Sequence, residues 1–313
     1  MGKDESRQFR YVGTRPVRPD GFDKVTGRAN YGADYFLPGM LYGKVLRSPH
    51  AHARILSVDL SAALALPGVC AAICGADFPD VASALVSAGE SDEDFRDLSR
   101  NVMARDKVLY HGHAVAAVAA TSEEIARQAL EAIVVEYEVL PHVTDLAAAM
   151  APDAPILHDD QFTAGLEEPA STPSNVAARA VIQRGDVGAG MAEAELVIER
   201  TYHVPTAHQG YIEPHACVVS TRGSDAIDIW CSSQGHFAMR TYTSQVLGWE
   251  PSRVKVQPAE IGGGFGGKTV IYLEPLAAKL SQDAGRPVRI VMGRDEVFKA
   301  TGPTSGSRMT AKI

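Results

Sequence analysis

The most informative stretch of this chain is Val254-Lys-Val-Gln-Pro-Ala-Glu-Ile-Gly-Gly-Gly-Phe-Gly-Gly-Lys-Thr269. It places five glycines in six positions around one aromatic residue, Phe265, between a strand-like run and a helix-like run. Glycine loses more backbone entropy on folding than any other residue, so such a cluster indicates a backbone that bends sharply or approaches a ligand closely. Backbone N–H groups with no side chains in the way suit a phosphate, an oxyanion or a metal–oxo group.

The same stretch fits the phosphate-binding pattern G-x4-G-K-[ST] from Gly262 to Thr269. A phosphate-binding loop normally follows a central apolar strand, and a later strand ends in an Asp that holds magnesium. Here the preceding strand contains Pro258, which favours an edge or half-exposed strand. The candidate for the second motif, at residues 289–296, follows only one helix later. A P-loop nucleotide-binding protein is therefore the alternative function, not the preferred one.

Composition and charge are those of a globular protein with one large domain or two of ordinary size. Of the 313 residues, 45% are hydrophobic and 22% are charged. The net charge of −8 argues against a nucleic-acid partner, which would require a basic surface. The charged N-terminus lacks the apolar core of a signal peptide, and no apolar run is long enough to span a bilayer. We expect a cytoplasmic protein without a membrane partner.

Two groups of residues that could bind metal have simpler interpretations. Cys70 and Cys74 form a C-x3-C pair, but no second pair stands at metal-ligand spacing. We therefore predict buried free thiols, which a reducing cytoplasm would preserve. The tripeptide His111-Gly-His113 has no third ligand close in sequence, so we predict a turn with solvated or capping histidines. The cysteines are Cys70, Cys74, Cys217 and Cys231.

Hydrophobic patterns divide the chain into four segments. Residues 1–24 are a polar, Pro/Gly-rich N-terminal arm that we expect to dock on another surface. Residues 25–145 interleave strands and helices and predict a small α/β domain, with residues 77–106 acidic and irregular. Residues 146–174 are a Pro/Asp/Ala-rich linker. Residues 175–313 predict a further unit that contains the glycine loop.

Within residues 175–313 the predicted elements lead up to and away from the glycine loop. Two strands pair across the hairpin-type turn Thr221–Asp225. A polar loop spans His208–His215, and a helix runs from Ala238 to Leu247. After the loop, a helix from Ile271 to Ala284 ends at Gly285, a residue typical of a helix C-cap.

Taken together, these motifs resemble the molybdenum-binding subunit of the xanthine dehydrogenase and aldehyde oxidase family. The resemblance covers nearly the whole chain, and its motifs follow the family's order. It implies an α+β protein, in which a small α/β hammerhead-type domain precedes the first part of a molybdopterin-binding α+β domain. The matching segments are 23–34, 43–53, 114–120, 134–141, 184–186, 211–214, 233–234, 261–268, 285–289 and 294–296.

The resemblance implies roles for five residues. Gln234 matches the Gln that hydrogen-bonds an oxo ligand of molybdenum, and Phe265 matches the Phe whose backbone N–H faces the metal. Gly264 and Gly266 would let that backbone approach the cofactor. Thr269 stands where purine-oxidising members carry a substrate-binding Glu, which disfavours a xanthine substrate. From the residues alone, Gln234 would more simply be a polar residue at a helix N-terminus that faces water.

The resemblance also implies cofactors and partners. The cofactor would be molybdopterin with molybdenum, as the cytosine dinucleotide if the source is bacterial, with [2Fe–2S] clusters and FAD on partner subunits. In the family the subunit continues for more than as many residues again, and that part holds most pterin contacts and the general-base Glu. No catalytic residue is therefore assigned here, and we expect a C-terminal half or subunit to complete the site.

The enzyme completed in this way would hydroxylate an aldehyde or N-heteroaromatic substrate with oxygen derived from water. This chain by itself is expected to be inactive. A subunit that keeps the fold only for docking is a third hypothesis.

Overall fold

The computed structural model describes residues 9–87, 92–223 and 226–313. The strands are β1 Leu41–Arg47, β2 Ala53–Asp59, β3 Val69–Cys74, β4 Leu85–Ser87, β5 Asp92–Asp94, β6 Lys107–Val108, β7 Ala114–Ala120, β8 Val134–Val139, β9 Glu199–Val204, β10 Ala216–Arg222, β11 Ala226–Cys231, β12 Val254–Pro258, β13 Val288–Val291 and β14 Ser307–Lys312. The α-helices are α1 Gly21–Thr26, α2 Ser61–Leu64, α3 Phe95–Val102, α4 Glu123–Ala132, α5 Leu146–Ala149, α6 Val187–Glu193, α7 His236–Val246, α8 Glu274–Ala284 and α9 Arg294–Ala300. Short 3-10 turns lie at Gly75–Asp77 and Pro251–Arg253.

A seven-stranded mixed sheet with the order β12-β11-β10-β13-β1-β7-β3 forms the centre of the fold. Strand β13 joins its two halves, because it pairs parallel with β1 and antiparallel with β10. Strands from the predicted 25–145 and 175–313 units therefore lie in one sheet. The predicted domain boundaries stay a prediction.

Strand β7 shows how the sheet is covered on both faces. Its seven residues are all Ala or Val, and all are buried. Successive side chains of a strand point to opposite faces. Accordingly, Ala117 and Ala119 pack in the core that contains α8, whereas Ala116 and Val118 pack in the core that contains α4. Small apolar residues on both faces let the two helices approach the sheet closely, which is typical of a strand between two helical layers.

Three smaller sheets complete the described structure: β6-β2-β8, the pair β4-β5 and the pair β9-β14. The antiparallel β9-β14 pair has no buried residue on either strand. Residues Tyr202, Val204 and Met309 expose apolar surface there.

The segment 77–106, predicted to be irregular, contains the helix α3. Asp94 caps its N-terminus, where its carboxylate accepts hydrogen bonds from the backbone N–H groups of Arg96 (2.9 Å) and Asp97 (3.2 Å). Phe95, Leu98 and Val102 point into the core. Their spacing of three and four residues is that of one helical face, so the signal was present but outweighed by the acidic composition around it.

The prediction of a turn with solvated or capping histidines is met at His113 by the capping alternative, because its ring bonds the carbonyl of Arg100 in the last turn of α3. His111 and His113 lie at a turn, and the side chain of His113 is fully buried. Its Nδ1 accepts the backbone N–H of Leu109 (3.2 Å), and its Nε2 donates to the carbonyl of Arg100 (2.8 Å). Burial lowers the pKa of His113 from 6.5 to about 4, so the ring is neutral.

The other predictions concern the cysteines, membrane spans, the N-terminus, the hairpin turn and the location of the protein. All four cysteines are free, with Cys217 and Cys231 buried and the other two partly exposed. No helix in the described ranges is long and apolar enough to cross a membrane. Residues 1–8, on which the prediction about a signal peptide mostly depends, lie outside the described residues. Residues 224–225 of the predicted hairpin turn also lie outside them. The cytoplasmic location stays a prediction.

Candidate functional site

The glycine loop, residues 262–269, lies beside Gln234 because of the way two strands pair. Strands β11 and β12 are parallel neighbours, with Cys231 opposite Pro258. Their carboxyl ends therefore open onto the same edge of the sheet. Gln234 follows β11 by three residues, and the glycine loop follows β12. Strand β12 is an edge strand, as the proline in it predicts.

The amide of Gln234 is held in one orientation by the loop. Its Oε1 accepts hydrogen bonds from the backbone N–H groups of Gly266 (3.0 Å) and Lys268 (3.2 Å). The backbone N–H of Gln234 in turn donates to the carbonyl of Lys268 (2.9 Å). Since both partners of the side chain are donors, the atom facing them must be the oxygen. The Nε2 group is left on the other side, without an acceptor among the described residues.

Phe265 adopts a backbone conformation that is costly for an aromatic residue. Its φ of 52° is the only positive value for a non-glycine residue in the ranges that the structure describes. The N–H of Gly267 donates to the carbonyl of Gly264 (2.8 Å), which closes a turn with Phe265 and Gly266 (φ 88°) at its centre. Two positive φ values define a type I′ turn. Such strain persists only where the surroundings fix it, and it is concentrated at functional sites.

No interaction among the described residues compensates for the backbone strain at Phe265. The side chain is 74% exposed, so its ring gains little from packing. Its backbone N–H has no acceptor within residues 9–87, 92–223 and 226–313. The turn therefore leaves the N–H of Phe265 available beside the Nε2 group of Gln234. Both are hydrogen-bond donors, which is the chemistry expected for a partner with electron-rich oxygen atoms.

The lack of a side chain at Gly264 is required by Gln234 itself. A Cβ at position 264 would lie 2.4 Å from Oε1 of Gln234. Two further glycines also leave no room for a side chain. A Cβ at Gly262 would lie 2.5 Å from Glu213, and one at Gly267 would lie 2.7 Å from Tyr211. Part of the glycine cluster thus accommodates the chain's own side chains.

Beneath the loop lies a buried ion pair between Lys268 and Glu213. Nζ of Lys268 donates to Oε2 of Glu213 (2.7 Å), and the lysine side chain is fully buried. The same carboxylate oxygen accepts the backbone N–H of Gly262 (2.7 Å). Burial lowers the pKa of Lys268, although the hydrogen bond to Glu213 opposes the shift.

This geometry contradicts the phosphate-loop alternative. A P-loop lysine must reach the phosphates of the nucleotide, but Lys268 points inward and is neutralised by Glu213. A P-loop also runs directly into a helix whose N-terminus faces the phosphate. Here α8 begins only at Glu274, later than the predicted start at Ile271, and Thr269 lies before that helix. The pattern match from Gly262 to Thr269 is therefore coincidental.

A series of hydrogen bonds between side chains supports the glycine loop on its buried side. Nε2 of His215 donates to the carbonyl of Gly267 (3.1 Å), and Nδ1 of His215 lies 3.3 Å from the hydroxyl of Tyr211. That hydroxyl lies 3.1 Å from Oγ1 of Thr301, which is 2.8 Å from Nε2 of His208. Burial, reinforced by the positive charge of Lys268, lowers the pKa of His215 to about 3, so this ring is neutral.

Sequence reasoning missed these supporting residues. Residues 208–215 were predicted to be a polar loop, yet Tyr211 and His215 are buried and Glu213 carries the ion pair. The motif Tyr211-Ile-Glu-Pro214 was the available signal. Among the predicted residues, Gln234, Gly264, Phe265 and Gly266 lie together. Thr269 lies at the end of the loop, where its hydroxyl donates to the carbonyl of Gly266 (3.0 Å).

Comparisons with known proteins agree with this architecture. Residues 26–141 match the family model described as the aldehyde oxidase and xanthine dehydrogenase a/b hammerhead domain. Residues 168–313 match the model described as the molybdopterin cofactor-binding domain. The chain belongs to the xanthine dehydrogenase and aldehyde oxidase family and resembles its molybdopterin-binding large subunits, with the α+β fold and hammerhead domain that the sequence predicts.

Individual relatives support the same assignment. A probable xanthine dehydrogenase subunit of Bacillus subtilis (strain 168) is 34% identical over 91% of this chain and 35% of its own length. The nicotinate dehydrogenase large molybdopterin subunit of Eubacterium barkeri is 31% identical over 95% of this chain and 64% of its own length. The crystal structure of quinoline 2-oxidoreductase from Pseudomonas putida 86 superposes with a TM-score of 0.77 at 30% identity, covering 91% of this chain and 35% of that one. The chain thus spans only part of each.

Proposed function

We propose that this chain is the molybdenum-facing part of a molybdenum hydroxylase, a molybdopterin-dependent oxidoreductase that needs further polypeptide to be active. The observation that carries the proposal is the pair of free donors, Nε2 of Gln234 and the N–H of Phe265, on a loop that is rigidly supported from below. Bound molybdopterin would supply the molybdenum centre at which oxygen derived from water is inserted into the substrate.

The contribution of this chain to that chemistry is positional. Gln234 and Phe265 would lie just outside the metal's own ligands and donate hydrogen bonds towards them. Both donors are oriented before any ligand arrives, so little reorganisation is needed during the reaction. Gly266 leaves the outer surface of the turn open, because a Cβ at this position would meet nothing within 4 Å. The donor set fits a negatively charged oxygen and does not fit a bare cation.

The substrate we propose is an aldehyde or an N-heteroaromatic compound. Two of the similar proteins are named for nicotinate and quinoline, both N-heteroaromatic compounds. Thr269, which we propose lies on the substrate side of the loop, uses its hydroxyl proton to bond Gly266. The hydroxyl of Thr269 carries no negative charge and cannot bind a purine as a carboxylate would. Xanthine is therefore disfavoured as the substrate. The general-base Glu would come from polypeptide outside this chain.

We propose partners on the basis of the family resemblance and of the share of each relative that the chain covers. The chain covers 35% of the Bacillus subtilis relative, so we propose that a C-terminal half or subunit completes the cofactor site. Iron–sulfur and FAD subunits would carry the electrons away, and the cofactor would be the cytosine dinucleotide form. We retain the division into an arm (1–24), a hammerhead-type domain (25–145), a linker (146–174) and an incomplete cofactor-binding domain (175–313) as part of this proposal.

The first test is an analysis of metal and flavin in protein purified from its native host through a tag on this chain. We expect molybdenum, iron and FAD to copurify with additional polypeptides. A protein that contains none of them, alone or with partners, would contradict the proposed function. A complex that contains the partners but no molybdenum would favour the docking-only hypothesis.

The second test separates the two atoms of the Gln234 amide. Gln234→Glu keeps an oxygen that can accept from Gly266 and Lys268, but a carboxylate has no N–H to donate outward. We expect kcat of the complete complex to fall by roughly a hundredfold, as for the loss of one oxyanion donor, with molybdenum content retained. The matched control is Gln245→Glu, on the last turn of α7. Unchanged activity in Gln234→Glu would remove Gln234 from the site.

A further inference from the structure

We propose that Glu213 and Lys268 form a positioning pair that holds the glycine loop in the conformation that presents its two donors. This inference rests on the proposed function, because the donors it positions are those assigned to the molybdenum site. Both residues lie in segments that match the family, but the resemblance assigned neither of them a role, and the structure contradicts the phosphate-binding role that the P-loop alternative gives Lys268. Neither residue faces the ligand side of the loop, so each would act through Gln234 and Phe265.

Glu213 ties together both ends of the loop. Its Oε2 accepts the backbone N–H of Gly262, where the loop begins, and the ammonium group of Lys268, where it ends, each at 2.7 Å. Its other oxygen accepts the backbone N–H of Gly32 at 3.3 Å. A single carboxylate therefore fixes the distance between residues 262 and 268, which flank the turn that contains Phe265. It also joins that turn to a segment from the start of the chain.

Lys268 transmits this constraint to Gln234. The lysine side chain is bound to Glu213, whereas its backbone N–H and carbonyl are both bonded to Gln234, at 3.2 Å and 2.9 Å. A displacement of the ion pair would move the backbone of residue 268 and, with it, the N–H donor that orients the amide. The pair is thus the link between the base of the loop and the amide of Gln234.

Burial makes the pair rigid. The side chain of Lys268 is 0% exposed and that of Glu213 is 11% exposed. Nζ of Lys268 also lies 5.0 Å from the centre of the Tyr211 ring, on which it packs. A buried charge must keep its partner, since removal of one member leaves the other unpaired away from water. The strained φ of Phe265 requires surroundings of this kind, because a loosely held loop would relax it.

The test uses the complete complex, purified through a tag on this chain. The variants are Glu213→Gln, Lys268→Met and the double variant that carries both changes. The matched control is Lys107→Met, because the side chain of Lys107 is also mostly buried and forms an ion pair, with Asp159 at 2.8 Å, but lies on β6 away from the loop. The readouts are molybdenum content, kcat, KM and hydrogen–deuterium exchange of the peptide covering residues 261–270, with and without bound cofactor.

We expect each single variant to retain molybdenum while loop exchange rises and kcat falls by at least about tenfold, with KM changed less than about twofold. The Lys107→Met control should match the wild type in all readouts. Wild-type exchange and kcat in both single variants would overturn the proposal.

If the single variants do not assemble, the double variant decides, because it leaves no unpaired charge. Faster loop exchange and lower kcat in the double variant support positioning, and wild-type values overturn it. Failure of all three variants to assemble, while Lys107→Met assembles, would show that the pair only holds the fold together and would overturn the positioning role. Absence of molybdenum from the wild type would instead count against the proposed function, and loop exchange would still report on the pair.

Discussion

Gly264 and Gln234 are in direct steric contact: a Cβ at position 264 would lie 2.4 Å from the amide oxygen of Gln234. The oxygen cannot easily move away, since two backbone N–H groups hold it. The glycine and the glutamine therefore depend on each other. In this respect the loop is shaped by its neighbour as well as by any ligand.

The first prediction is that Gly264→Ala displaces the Gln234 side chain. We expect a loss of roughly a hundredfold in kcat of the complete complex, because the outward donor is misplaced, and a loss of stability of about 1–3 kcal/mol from overpacking. The control is Gly235→Ala, where a Cβ would meet only the Cβ of Ala238, at an ordinary 3.7 Å. Equal kcat in the two variants would refute the prediction.

The second prediction concerns the strain at Phe265. Glycine has no Cβ penalty at a positive φ, so Phe265→Gly should be more stable than Phe265→Ala by about 1 kcal/mol. The ring is 74% exposed, so both variants lose similar, small packing energy. Phe237, 78% exposed and helical, provides the control, because there Ala should be more stable than Gly. Urea unfolding of the purified chain measures each pair, and the same order at both positions would show that Phe265 is unstrained.

The third prediction is that stability falls below about pH 6.5. The pKa values of His113 and His215 are lowered by burial to about 4 and about 3, so the unfolded chain takes up these protons first as the pH falls. Each histidine should remove about 2 kcal/mol between pH 6.5 and pH 5. His113→Asn should therefore reduce the difference in unfolding free energy between these two pH values by that amount. An unchanged difference would mean that the pKa of His113 is not lowered in the folded protein.

The fourth prediction is a difference in reactivity among the thiols. Cys217 and Cys231 are buried, and burial raises the pKa of both well above its usual value. They should resist iodoacetamide in the native protein, whereas Cys70 and Cys74, which are partly exposed, should react slowly. Mass spectrometry of the alkylated peptides reports each site, and denaturation in urea should equalise them. Rapid native labelling of Cys217 would contradict the buried position of β10.

Most of the local structure could be predicted, because it depends on patterns close together in the sequence. Helix α8 ends at Ala284 as predicted, and the Gly285 that follows it adopts the left-handed conformation of a helix C-cap. Helix α3 was missed because its acidic surroundings outweighed a short apolar face. The pairing of β13 with β1 could not be inferred from the sequence, since nothing local specifies a partner so distant along the chain.

The candidate site was predictable only in part. The glycine cluster fits two functions by pattern, and the burial of Lys268 decides between them. That burial is a property of the tertiary structure, as are the positions of Glu213 and His215. Gln234 was selected through family resemblance, and the structure adds the reason why its amide has one orientation: both partners of its oxygen are donors.

The place of β13 in the sheet has a consequence for how the chain folds. Leu41 pairs with Val288, so most of the polypeptide lies between these two partners. During synthesis, β1 emerges early but has no neighbouring strand on one side until β13 leaves the ribosome. Strand β10 likewise lacks its β13 neighbour until then. High contact order of this kind slows folding and leaves unpaired strand edges open to other chains. Fragments that stop before residue 288 should therefore aggregate instead of forming half of the sheet.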